Sequence, residues 1–253
     1  MSEDIRKMID KVKNFNQFIN ENVDANIKSG IDFTYKQHPK LVNIGTKEQY
    51  SHYLNTIFPD SKVREILYHG TDTYFDFFLP YSHVGTFHQA HQVGKTTGKK
   101  INNIISLLID TKRMNSDILI EGRTYFSTKF YSGVWSTGKF LNFLYLHGVP
   151  SNKIEEIFEK ETEWSDQEGL SISQLLKMNI LRPDDEFDYK NSFDENDGIR
   201  LLRYSNLDTL VYRNSKEGDN SLSYIVTNPK QIHILGSEQD IIGFIEFIKK
   251  IGV

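Results

Sequence analysis

The chain is read from its sequence as an α+β domain. A strand-like run ends at His69, several more crowd the last fifty or so residues, and helical patterns fill much of the space between. Strands toward both ends of a chain with helices between them are expected to meet in one sheet.

The elements follow in order. Ile5, Met8, Ile9, Val12, Phe15 and Ile19 recur at three- and four-residue spacing, which predicts one apolar stripe on an amphipathic N-terminal helix. Residues 1–40 are therefore taken as a helical extension and 41–253 as the domain. Thr46 followed by Gln49 is a capping-box pattern, and it opens a helix whose inner face carries Tyr50, Tyr53, Leu54 and Ile57. Pro59, Asp60 and Ser61 stop it. Val63 to His69 reads as a strand, "HQAHQV" as a short helix, and "NNIISLLID" as a buried strand. The pattern from Trp135 to Trp164 is helical, broken by Gly148 and Pro150, and Ser171 with Gln174 caps another helix. Acids and turn formers from 183 to 198 predict an exposed loop. "IRLLRY", "LDTLVYR", "SLSYIVT" and "QIHIL" read as four short strands, followed by a helix capped at Ser237.

Composition narrows the function classes. Hydrophobic residues make up 38% and aromatic residues 13% of the chain, so 17 Phe and 13 Tyr supply much of a folded core. Cysteine is absent, which excludes disulfides, thiolate metal sites and a cysteine nucleophile, and fits a reducing compartment. The opening "MSEDIRKMIDKV" has no apolar leader, and no run approaches the ~18 apolar residues of a membrane span. The expectation is a cytoplasmic protein without a membrane partner. A net charge of −4 provides no global field for nucleic acid, leaving only a local basic groove as a means of binding it.

Three separated stretches carry the chemistry: "LYHGTDTYFDFF", then "HVGTFHQA", and finally "YRNSKEGDNSLSYIVTNPKQI". Together, over roughly residues 40 to 236, they resemble the ADP-ribosyltransferase superfamily, closest to the ADP-ribosyltransferase-like domains of phage and mobile-element polyvalent proteins. The resemblance implies a split, mostly antiparallel sheet with NAD as substrate in its cleft. It places His69 on the adenosine ribose and the Gly70 main chain on the nicotinamide amide, beside Thr71. Glycine suits that task, because a carboxamide needs one donor and one acceptor and a flat ring must approach the backbone closely. In the second motif it assigns Gly85 and Thr86 to the cofactor site, sets Ala90 on the inner face of a helix, and puts His83 where the family usually has a stacking tyrosine. In the third, active relatives carry a glutamate where this chain has Ser223, followed by Tyr224 at the cofactor. Serine cannot carry the charge, so the loop acids Glu217 and Asp219 are the candidates, with Glu217 as the catalytic carboxylate and Ser223 and His83 orienting the ribose.

Two other patterns compete weakly. His88 and His91 share a helix face near His83, but no carboxylate stands at ligand spacing for zinc. "GVWSTGKF", Gly133 to Phe140, matches a phosphate-loop pattern but has Phe140 where a magnesium-ligating hydroxyl is required. The sequence thus points to an NAD-dependent ADP-ribosyltransferase acting on an unknown macromolecular acceptor, protein or nucleic acid. The alternatives are a catalytically silent NAD- or ADP-ribose-binding module and a structural phage or host-interaction protein.

Overall fold

The computed structural model describes residues 25–115, 119–121, 144, 149–154, 156, 192–193, 199, 202–214, 217 and 221–252. The apolar stripe from Ile5 to Ile19, the Gly133 to Phe140 pattern, the Ser171 cap, Asp219 and nearly all of the acidic loop lie outside them.

Strands and helices mix as an α+β fold with two small sheets. Along the chain run α1 (25–37), α2 (Lys47–Ile57), β1 (Leu67–Thr71), β2 (Ser82–Val84), α3 (Phe87–Thr97), β3 (Asn103–Ile109), β4 (Leu119–Glu121), β5 (Ser192–Phe193), β6 (Thr209–Asn214), β7 (Leu222–Val226), β8 (Ile232–Ile234) and α4 (Glu238–Ile251). One sheet has the order β1-β3-β8, all antiparallel. The other has the order β2-β7-β6-β4-β5, antiparallel from β2 to β6 and parallel where β4 meets β6 and β5.

The expected caps are present. Thr46 and Gln49 bond each other's backbone at the start of α2, and the Ser237 hydroxyl receives Asp240 N–H at the start of α4. In β3 the period of two is clean: Ile105, Leu107 and Ile109 face the other sheet, whereas Ile104 and Leu108 pack under the helices. Between the sheets they meet Val211, Tyr224 and Val226. On the helical side Ile31 and Tyr35 of α1 join Tyr50, Tyr53 and Phe244, so the described part of the predicted extension is built into this core. Asp240 ties the helices to the sheet by accepting hydrogen bonds from the Tyr50 hydroxyl, His233 Nε2 and Gly236 N–H.

Three expectations are corrected. The first strand begins at Leu67, because Val63 N–H is taken by the Ser61 hydroxyl and Ile66 N–H by the Asn26 side chain instead of a strand partner. Residues 202–204 of "IRLLRY" are helical, with Leu202 turned into the interior. Segments 63–68 and 223–227, which the need to face one ligand would put in the same half of a split sheet, fall in different sheets, since β1 pairs with β3 and β7 pairs with β2 and β6. The two sheets touch through a bridge between Tyr68 and Gly85, whose main chains exchange N–H···O bonds of 2.8 and 3.0 Å.

Candidate functional site

A cleft of about 350 Å³ opens beside that bridge, and the expected residues His69, Gly70, His83, Gly85, Glu217 and Ser223 all line it. Its size lies within the ~300–1,000 Å³ of small-molecule sites. Tyr68, Gln89, Tyr212 and Asn214 complete much of the wall, and the sequence reading named none of them as site residues.

β1 supplies one side. Tyr68 directs its N–H and C=O to Gly85 rather than to β3, and main-chain groups two residues apart on a strand point to the same edge. Gly70 therefore turns its N–H and C=O toward β2's side, past the last bridge, at the cleft. On its face the residue is crowded: a Cβ would lie 2.0 Å from the Ala90 carbonyl oxygen of α3. Glycine here lets a helix backbone sit on the strand while the strand edge stays open.

His69 is held by its surroundings. Nδ1 donates to the His83 carbonyl oxygen at 2.8 Å, so the proton of the neutral ring sits on Nδ1 and Nε2 is left as an acceptor. Phe75 and Phe78 stand edge-on to the ring. Burial pushes the imidazole below its ordinary value, only partly offset by the bond to His83. His83 in turn shares a 2.9 Å hydrogen bond between Nδ1 and the Tyr212 hydroxyl, which places a tyrosine from β6 against the histidine of β2.

The opposite wall is a polar chain. Thr86 caps α3 in a capping box with Gln89. The Gln89 Oε1 accepts Thr86 N–H at 2.8 Å and the Ser223 hydroxyl at 2.9 Å, and its Nε2 donates to the Ser221 carbonyl at 3.1 Å. Asn214 Nδ2 donates to Ser223 Oγ at 3.3 Å and to the Glu217 carboxylate, and its Oδ1 accepts Glu217 N–H at 3.2 Å. Gly85 makes room for this chain, since a Cβ there would meet Gln89 Oε1 at 2.1 Å.

Three expected residues do not line the cleft. The Thr71 hydroxyl bonds the Thr73 carbonyl in the following turn, and Thr86 is spent on the helix cap. Tyr224 points the other way from Ser223, as alternation on β7 requires, into the core between the sheets, where its hydroxyl donates to Glu65 at 3.1 Å. The missed residue Gln89 had a local signal, the Thr86-x-x-Gln89 capping box. Asn214 and Tyr212 had none, because their roles depend on partners far away in the chain. Among the described residues no group of three or more His, Asp or Glu side chains gathers as metal ligands, and none of the helices is long and apolar enough to cross a membrane.

No protein-family model matches the sequence, and no curated protein or solved structure matches the chain.

Proposed function

We propose that the cleft binds NAD and that the protein is an ADP-ribosyltransferase-type domain, of the kind phage and mobile elements carry, that transfers ADP-ribose to a macromolecular acceptor in the cytoplasm. One observation carries this reading: residues of three motifs, the third more than a hundred residues beyond the first two, line a single cleft where two sheets meet.

The chemistry of the wall fits the substrate. The open edge of Gly70 offers the one donor and one acceptor that a nicotinamide carboxamide needs. The His69 Nε2 is an acceptor for a ribose hydroxyl. Transfer breaks the bond between C1′ and the nicotinamide nitrogen, the electron pair leaving with nicotinamide, and forms a bond from C1′ to the acceptor nucleophile, which gives up its proton. Positive charge builds on the sugar as the bond breaks. A carboxylate placed at that position, the role given to Glu217, stabilises the charge where it develops.

The experiment is nicotinamide release together with the intact mass of candidate targets after incubation with NAD. The parent is expected to release nicotinamide and add one ADP-ribose, and Glu217→Gln to lower the rate by about 10²–10³. A second reading, a silent NAD- or ADP-ribose-binding module, is favoured by Ser223, a residue 2% exposed whose hydroxyl is engaged with Gln89 where the family has its acid. Binding of NAD without nicotinamide release would select it.

A further inference from the structure

We infer that Asn214 is the positioning residue for Glu217, and that Ser223 and Gln89 fix which way its amide points. The inference rests on the reading of Glu217 as the catalytic carboxylate.

The direction of every bond follows from groups that have no choice. Thr86 N–H can only donate, so the Gln89 atom it meets at 2.8 Å is the oxygen, and the Ser221 carbonyl can only accept, so the atom facing it is the nitrogen. The Ser223 hydroxyl, 2.9 Å from Gln89 Oε1, must therefore donate its hydrogen to that oxygen. Its own oxygen is left to accept, and Asn214 Nδ2 fills that role. At the far end Glu217 N–H can only donate, which calls for Asn214 Oδ1. With both ends set, the amide presents an N–H to the Glu217 carboxylate; the flipped amide would set oxygen against oxygen at Ser223 Oγ and at the carboxylate, and N–H against N–H at the Glu217 main chain. Gln89, Asn214 and Ser223 are 2%, 4% and 2% exposed, so water does not compete for these bonds.

Serine at 223 thus has work to do as a relay. It transmits the order of the α3 cap to the β6 end, from which the loop acid reaches the cleft. The carboxylate has its aim set by a neutral donor buried behind it.

Asn214→Asp is the informative variant, because it keeps an oxygen to receive Glu217 N–H and replaces the amide donor that faces Ser223 Oγ and the Glu217 carboxylate with an oxygen. The expected result is a loss of about 10² in kcat for nicotinamide release with the NAD Kd within about threefold of the parent, the signature of a group acting on the reaction rather than on binding. Crystal structures of parent and Asn214→Asp should show the Glu217 carboxylate displaced in the variant. Ser223→Ala, which removes the relay but no charge, should lower kcat by about tenfold at unchanged Kd. A kcat for Asn214→Asp within threefold of the parent, a carboxylate that does not move, or an unaffected Ser223→Ala each overturns the inference. Should the parent neither bind NAD nor release nicotinamide, the proposed function falls, and the two crystal structures still decide whether Asn214 holds Glu217.

Discussion

His69 Nδ1 donates to the main-chain oxygen of His83 at 2.8 Å, joining the end of β1 to β2 across the mouth of the cleft. The ring is neutral at pH 7, because burial lowers its pKa below the ordinary 6.5. An acceptor at Nε2 survives until the ring is protonated, so NAD affinity is expected to stay level from pH 8 through 6.5 and to fall only below that. Folding stability changes in the same sense. Between the lowered value and 6.5 the unfolded chain holds the extra proton, so this residue's contribution is lost as pH falls through that window. Titrations of NAD between pH 8 and 5 check the first part, and an affinity that rises on acidification would contradict it.

Gly70→Ala is expected to destabilise the fold by about 1–3 kcal/mol, since the new methyl would meet the backbone of α3 at Ala90, which cannot swing aside as a side chain does. Urea unfolding gives the number. A neutral Gly70→Ala would mean that α3 does not lie on β1 as described.

Tyr224→Phe should leave the NAD Kd within about twofold while costing about 1–2 kcal/mol in unfolding, because only the buried bond to Glu65 is lost. Glu65 is held above the ordinary carboxylate range by burial, which the tyrosine bond partly offsets, so the loss falls on a group already short of solvent. An NAD affinity reduced tenfold by Tyr224→Phe would restore this residue to the site.

Asp240→Ala removes the acceptor of three buried donors, the Tyr50 hydroxyl, His233 Nε2 and Gly236 N–H. A loss of about 3–5 kcal/mol is expected, the usual cost of leaving such partners unanswered. Chemical denaturation resolves it, and a change under about 1 kcal/mol would show that the cluster does not hold α4 in place.

What could be read in the sequence was what nearest neighbours decide. The Thr46 and Ser237 caps, the alternation of β3 and the runs that became β6, β7 and β8 depend on residues within one element. The boundary at Leu67 was not legible, since Val63 and Ile66 are as buried as strand residues while their amides bond side chains elsewhere. Nor was the division into two sheets, which is settled by pairings such as Leu67 with Leu107 across long separations. In the site, His69 and Gly70 stood out as a pair of unusual residues at a strand end. The chain from Gln89 through Ser223 to Asn214 did not stand out as a connected whole, because its members lie as much as 134 residues apart; Ser223 was legible only by itself and Gln89 only as a helix cap.

The proposed function requires that this cleft bind NAD through the His69 end of β1. Calorimetric titration of NAD into the parent and into His69→Ala is the decisive measurement. Saturable binding by the parent is expected, with a Kd at least about tenfold weaker for His69→Ala, the loss of one well-placed hydrogen bond in a buried site. No heat of binding to the parent at millimolar NAD, or equal affinity in the two proteins, would contradict it.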